Sequence, residues 1–264
     1  MGRKKLLTIL QLISIIVIII SVFKIGSYYY DRYKSQEKFK KTEKIFQEVI
    51  KETKSEKKEE KKLSKKSSNK ELIRKLQEIN PDVVGYIEIE DLEIGYPILY
   101  RNNDYYLRRD INKEYSISGS IFLEETNSKD FSDNNTVIYG HNMADRGVGW
   151  ARMFGRLSEY LSKEDLTDID NVRIYTKDET LEYRIVSIYS ANAGDDYRRN
   201  PSKEDKIKYL QKLVDRSARD FSFDRPVKEN DKMITLSTCD DYNSNGRLVV
   251  HGVLVNNSST DPKT

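Results

Sequence analysis

The hydrophobic pattern divides the chain into three stretches. Residues 6–23 are apolar almost without relief, with Thr8, Gln11, Ser14 and Ser21 the only polar side chains. Residues 34–70 are dominated by Lys, Glu and Ser. From about residue 69 to residue 256 apolar residues return in strand-like alternation. The first stretch has the length a helix needs to cross a bilayer core, about 17–25 residues. Lys24 ends it, and Tyr28, Tyr29 and Tyr30 supply the amphipathic rings found at a membrane interface. No small-x-small cleavage site follows, which favours an uncleaved anchor over a secretory signal.

The middle stretch predicts a spacer. Phe39, Phe46, Val49 and Ile50 form one apolar helical stripe, and the Lys/Glu tract over residues 51–62 has almost nothing to bury. The charged residues flanking the apolar run nearly balance: Arg3, Lys4 and Lys5 stand before it, and Lys24, Arg32, Lys34 and Lys38 after it. A short tail ahead of a signal-like helix stays inside, so the expected topology is N-terminus inside and globular part outside. The expected division is a tail over 1–5, an anchor over 6–23, a charged stalk over 24–70, a globular domain over 71–256 and a disordered tail over 257–264.

The third stretch is long enough for one domain with its own core. A short helix over 71–79 is stopped by Asn80-Pro81, because proline biases the residue before it away from helix. Strands are predicted over 83–89, 94–99, 119–123, 136–140, 172–176, 181–190, 233–238 and 248–256, each rich in Val, Ile, Tyr or Thr and bounded by Gly, Asn, Asp or Pro. Two helices interrupt them. One lies within 158–169, opened by Ser158 or Ser162, the latter with Asp165 three residues on. The other spans 202–219, with Ser202 as cap, Asp205 three residues on, and Ile207, Leu210, Leu213 and Val214 at helical spacing. The fold class is mainly β: an eight-stranded closed or nearly closed barrel, with an N-terminal helix and a long helix between strands six and seven.

Composition narrows the chemistry. The net charge of +3 owes much to the spacer and no aromatic-interleaved basic surface accompanies it, so nucleic-acid binding is not indicated. One cysteine cannot form an intramolecular disulfide, which leaves Cys239 as buried filler, metal ligand or nucleophile. The chain has two histidines. His141 ends a strand in Tyr139-Gly140-His141-Asn142, where loops at sheet ends carry function. His251 lies mid-strand among valines and reads as a satisfied structural residue. Arg247 opens the last strand across a short hairpin from Cys239, and either binds a substrate group with its fork of donors or pairs with Asp240 or Asp241. No metal-ligand spacing links Cys239, His141 and His251, and neither a metal nor a cofactor is expected. The acidic pairs Glu124-Glu125 and Asp195-Asp196 read as solvated loop carboxylates rather than a calcium site.

Tyr139-Gly140-His141, Thr235-Leu236-Ser237-Thr238-Cys239 and Arg247-Leu248-Val249-Val250 resemble, in order, the three signature segments of sortases, the membrane-anchored cysteine transpeptidases of Gram-positive bacteria. Asn80-Pro81-Asp82-Val83-Val84-Gly85-Tyr86-Ile87, Tyr96-Pro97-Ile98-Leu99, Asn103-Asp104-Tyr105-Tyr106-Leu107 and Gly119-Ser120-Ile121-Phe122-Leu123 are similar to class B members in particular. The resemblance implies that Cys239 attacks a backbone carbonyl of a C-terminal sorting signal and forms a thioacyl intermediate. It implies that His141 protonates the leaving amine and deprotonates the incoming one, and that Arg247 holds the carbonyl or stabilises the oxyanion. Asn103, Leu107, Tyr139, Tyr197 and Ser237 would line the peptide groove. At Ala193 the chain departs from a related class B enzyme, which carries a hydroxyl residue there.

The implied partners are secreted proteins bearing the sorting signal, with a peptidoglycan precursor or a pilin amine as acceptor. The motif resembles either Asn-Pro-x-Thr-Asn or a Pro-x-Thr-Gly variant. Two other readings fit the same residues: a cysteine hydrolase with water as acceptor, and a non-catalytic tethered barrel that binds peptide. Products with and without an amine separate the first, and labelling of Cys239 by a thiol-reactive peptide mimic separates the second. An ordinary thiol titrates near 8.5 and imidazole near 6.5, so a thiolate–imidazolium pair is not the default state at neutral pH.

Overall fold

The structure is a computed structural model, and it describes residues 2–54, 61–143, 153–162, 171–192, 194–221, 223, 225–239 and 245–257. Helix α1 (Arg3–Lys54) and helix α2 (Lys61–Ile79) lead into eight strands: β1 (Val83–Ile89), β2 (Ile94–Tyr100), β3 (Ile121–Leu123), β4 (Asn135–Tyr139), β5 (Val172–Tyr175), β6 (Thr180–Asn192), β7 (Met233–Cys239) and β8 (Gly246–Asn257). Two short helices intervene, α3 (Glu159–Ser162) and α4 (Lys206–Asp215).

The strands close into a barrel in the order β1-β2-β3-β4-β7-β8-β6-β5. Pairs β2/β3 and β4/β7 are parallel, and the others are antiparallel. Closure follows from the alternation. On β1, Ile87 and Ile89 enter the main core while Tyr86 faces the other cluster; on β8, Val250 points in and Val249 and Val253 point out. The outward set is apolar too, because helices cover it.

Strand β7 lies between β4 and β8, so β6 cannot reach it by a hairpin. The long connection carries α4, which lays Tyr209, Leu210 and Leu213 on Val186, Met233, Val249 and Val253. This helix is shorter than the pattern predicts. Ser202 is not its cap: the turn over 203–205 precedes it, and Asp205 stands at the cap position without a side-chain cap bond. Its end is set by tertiary pairing. Ala218 N–H donates to the Ile188 carbonyl at 2.7 Å and the Ser217 hydroxyl accepts from Ile188 N–H, which draws the chain onto β6 instead of into another helical turn.

Strand β3 likewise starts at Ile121 rather than 119, because Gly119 adopts φ +58° in the turn before it. Of the helix expected over 158–169, residues 154–158 form a 3-10 turn and α3 follows, with 163–170 outside the described residues. The tail over 258–264 lies outside them as well.

Much of the segment expected to be a spacer packs against the barrel. Arg32, Ser35, Phe39, Thr42, Phe46 and Val49 are buried at alternating spacings of three and four, the period of a helix seam. Phe46 stacks on Tyr86 with ring centroids 4.5 Å apart and planes 7° from parallel, and Phe39 meets Tyr96 edge-on at 4.9 Å. From α2, Leu72, Ile73 and Leu76 are buried, with Leu72 and Leu76 in the same cluster as Phe46. The apolar run over 6–23 extends away from this contact with its side chains exposed, and its most apolar 18 residues have a mean hydropathy of 2.9. By length and composition α1 is able to cross a membrane.

Candidate active site

The parallel pairing of β4 with β7 carries the site. Tyr139 stands opposite Ser237, and Gly140 N–H donates to the Ser237 carbonyl at 3.2 Å. Strand β4 ends at Tyr139, and His141 follows two residues on, where it lines the same cleft as Ser237 and Arg247. On the other side of β7 the antiparallel pairing sets Cys239 opposite Arg247. Positions 239 and 247 are therefore cross-strand neighbours, and position 141 follows the end of the strand that flanks β7 on its other side. Gly140 makes the exit from β4 possible: a Cβ there would come within 2.4 Å of Ile121 Cδ1 and 2.7 Å of the Phe154 ring.

The cleft has a volume of about 250 Å³ and is lined by Asn103, Leu107, Phe122, Tyr139, Gly140, His141, Tyr197, Arg198, Ser237, Thr238 and Arg247. Every site residue predicted from the sequence lines it except Cys239, whose backbone ends β7 at its edge. Ala193 lies outside the described residues, as do Asp240 and Asp241, so the alternative pairing of Arg247 with them lies there too. Among the described contacts, Arg247 Nη1 donates to the Gly246 carbonyl at 2.8 Å.

His141 is half-buried, and its Nε2 lies 2.7 Å from the Leu107 carbonyl oxygen. A carbonyl only accepts, so Nε2 carries a proton and Nδ1 holds the lone pair of the neutral ring. Burial pushes the imidazole below its ordinary pKa; the Leu107 bond opposes this, while the positive charges of Arg108 and Arg247 act with burial. The neutral ring is thus favoured at neutral pH. The Leu107 carbonyl reaches His141 past Gly119, where a Cβ would stand 2.6 Å from that oxygen.

The wall of the cleft rests on a carboxylate that sequence reasoning missed. Glu124 is buried, not solvated: Oε1 accepts from Asn103 Nδ2 at 2.7 Å and Oε2 from the Tyr139 hydroxyl at 2.5 Å. Asn103 Oδ1 in turn accepts from Glu125 N–H at 3.0 Å, so its amide is oriented at both ends. Burial and the Glu124 bond hold the Tyr139 phenol well above its ordinary pKa. The signal was available, since Glu124 directly follows a strand whose end residues are buried, but its charge argued for solvent. Asp195 and Asp196 form ion pairs with Arg216 and Lys212. Among the described residues no His, Cys, Asp and Glu cluster suits a metal.

The opposite wall is tied down by a buried chain. Tyr197 places its hydroxyl 3.1 Å from Ser237 Oγ, and its carbonyl accepts from Asn135 Nδ2 at 3.0 Å. Asn135 Oδ1 accepts from the Thr235 hydroxyl at 2.6 Å, so Thr235 Oγ1 must accept from His251 Nδ1, 2.9 Å away. His251 Nε2 then accepts from the Tyr189 hydroxyl at 3.0 Å. His251 is fully buried and neutral, and burial pushes its pKa down to about 3, with Arg216 adding to the shift. Its role is structural, as the valines around it suggested.

Comparison with known proteins agrees with the fold. The sortase domain family matches residues 87–255. A sortase B of Listeria monocytogenes is 38% identical over 189 residues, covering 69% of this chain and 74% of that protein. The crystal structure of a Clostridium perfringens sortase B superposes with a TM-score of 0.62 at 32% identity, over 69% of this chain and 99% of the other. A Staphylococcus aureus sortase B–substrate complex shares the fold, with a TM-score of 0.70 at 24% identity over 84% of this chain and 97% of that one. The chain belongs to the sortase family, and within it to class B. It is a sortase B-type cysteine transpeptidase, an enzyme that acts on proteins carrying sorting signals.

Proposed function

We propose that Cys239, His141 and Arg247 carry the reaction and that Asn103, Leu107, Tyr139, Tyr197 and Ser237 bind the peptide. The single observation that supports this is the cleft lined by both His141 and Arg247, with Cys239 opposite Arg247 in register. In this reading Cys239, as thiolate, attacks the carbonyl carbon of the scissile peptide bond. Charge builds on the carbonyl oxygen, where the fixed fork of Arg247 stabilises it. The carbon–nitrogen bond then breaks, His141 imidazolium gives its proton to the departing amine, and the acyl group remains on sulfur as a thioester. An incoming amine attacks that thioester, loses a proton to His141, and releases the thiolate. The depressed imidazole pKa makes the thiolate–imidazolium form a minority at rest, and turnover draws on it.

The finer assignments belong to the same reading. Residues 6–23 anchor the enzyme in the cell membrane, with residues 1–5 inside and the catalytic domain over 71–256 on the extracellular face; 24–70 connect the two, and 257–264 form a tail. The substrates are secreted proteins with a C-terminal sorting signal, and the acceptor is an amine of the cell wall or of a pilin. The apolar, exposed N-terminal run and the existence of a related sortase B solved as a substrate complex support this.

The test uses the full chain in detergent or bilayer discs with a panel of sorting-signal peptides and candidate amines, read by mass spectrometry. The wild type yields a protein-bound acyl adduct and amine-linked product. Cys239→Ala yields neither, and turnover by that variant would overturn the reading. Release of acid alone, whatever amine is offered, would favour hydrolysis.

A further inference from the structure

The helix that rises from the apolar run reaches the segments on either side of His141. Arg32 is buried to 2% exposure, about three turns beyond the apolar run, and its Nη2 donates to the Met143 carbonyl at 2.8 Å. Met143 is two residues past His141. The residues beside Arg32 hold the other border. Asp31 Oδ2 accepts from Ile117 N–H at 2.8 Å, Ser35 Oγ and Ser116 Oγ lie 2.7 Å apart, and Lys38 pairs with Asp110 and Glu114. These contacts all fall on the loop over 106–120, whose Leu107 carbonyl meets His141 Nε2.

That loop is stiff between the two ends. Ser116 N–H donates to the Arg108 carbonyl at 3.0 Å, and Ser120 N–H donates to the Tyr106 carbonyl at 3.1 Å. The Ser120 hydroxyl donates to the Arg109 carbonyl at 2.8 Å. These bonds connect Ser116 to Arg108, the residue after Leu107, and the Leu107 carbonyl holds the ring. A guanidinium buried to this degree would be costly without fixed acceptors.

We propose that α1 is a positioning element of the catalytic site, and that Arg32, aided by Asp31, sets the orientation of the His141 imidazole through Met143 and the loop over 106–120. Arg32 is a positioning residue, since it is not among the residues that line the cleft. Docking of the membrane-proximal helix and competence of the ring are in this way one event. The inference rests on the reading that His141 is the acid–base group, but its structural half is measurable without turnover.

The experiment uses the full chain and the variants Arg32→Ala, Arg32→Lys and Asp31→Asn, with Lys40→Ala as a control on the solvent face of the same helix. Two histidines make the imidazole spectrum simple, and His251→Gln assigns it. The charged groups acting on the His141 ring are Arg108 and Arg247, which the variants leave in place. Arg32→Ala is expected to move the His141 titration midpoint and Nε2 proton signal and to lower kcat by roughly 10- to 100-fold with KM within about twofold, the scale of a misplaced catalytic group. Asp31→Asn, which keeps a neutral acceptor for Ile117 N–H, is expected to change both in the same direction by less. Arg32→Lys restores part of kcat, and Lys40→Ala changes nothing.

If Arg32→Ala does not fold, Asp31→Asn and Arg32→Lys carry the test alone. Folded variants with an unmoved His141 signal overturn the proposal, whether or not kcat falls. A moved signal with His141→Gln still active would sink the assignment of His141 in the reaction while leaving its positioning by α1 intact.

Discussion

Glu124 Oε2 accepts a hydrogen bond from the Tyr139 hydroxyl at 2.5 Å, joining the end of β3 to the end of β4 beneath one wall of the cleft. The same carboxylate orients Asn103. Hydrogen bonds to a charged group contribute about 1.5–3 kcal/mol each, and both partners face the cleft. Glu124→Ala is expected to raise KM for a sorting peptide by about tenfold or more, with kcat changed much less. Glu124→Gln retains one acceptor and falls between. Steady-state kinetics on the three proteins decides it, and an unchanged KM in the alanine variant contradicts the support role.

Arg247 lies opposite Cys239 in register, and its value depends on shape as well as charge. Arg247→Lys keeps the charge but loses the planar fork. Its kcat/KM is expected to fall by about 100-fold or more, the scale of losing an oxyanion donor. Wild-type kinetics in this variant would rule out a role for Arg247 in holding the carbonyl.

His251 links stability to pH. Its folded-state pKa is lowered to about 3, against about 6.5 in the unfolded chain. Below 6.5 the unfolded state takes up a proton that the folded state refuses, so stability falls as pH drops from 6.5 toward 3. The slope from this residue approaches about 1.4 kcal/mol per pH unit. His251→Gln is expected to be less stable at pH 7, because the Tyr189–His251–Thr235 chain is cut, yet to lose stability less steeply between pH 6.5 and 4.5. Urea midpoints at several pH values measure this, and parallel slopes for the two proteins would refute it.

Phe46 fastens α1 to the barrel through Tyr86 and Tyr175. Truncating a buried phenylalanine costs about 3–5 kcal/mol. Because α1 meets the rest of the protein through one seam of side chains, much of that loss is expected as local undocking. Phe46→Ala should show faster amide exchange and proteolysis over residues 31–54, with a smaller fall in the Tm of the barrel. Protection equal to wild type over those residues would exclude the docking.

The strands were legible because each alternates or runs apolar between turn residues; the bounds of β1 coincide with the expected ones and the others differ by at most two residues. The helix before β7 was legible in existence but not in length, since the Ala218 N–H and the Ser217 hydroxyl bond to Ile188 on β6 where the helix would otherwise continue. The spacer was misjudged in part. Its apolar stripe was visible, but Arg32, Ser35 and Thr42 share the buried seam, and polarity hides a seam of that kind. Glu124 was read as solvated for the same reason: a charge predicts exposure unless its partners are known, and Asn103 and Tyr139 are distant in sequence.

By itself the sequence determined what local chemistry determines: an apolar run able to span a bilayer, eight strand-forming segments, and a solitary thiol, two imidazoles and the guanidinium of Arg247 placed at or within strands. Only the tertiary structure decided which of these meet. The antiparallel register of β7 on β8 sets 239 opposite 247, the parallel pairing of β4 on β7 ends two residues before 141 beside the same cleft, and the same closure buries His251. The reason is physical. Backbone pairing between strands remote in sequence sets proximity to within one residue, and no periodicity along a single strand encodes which neighbour it will find.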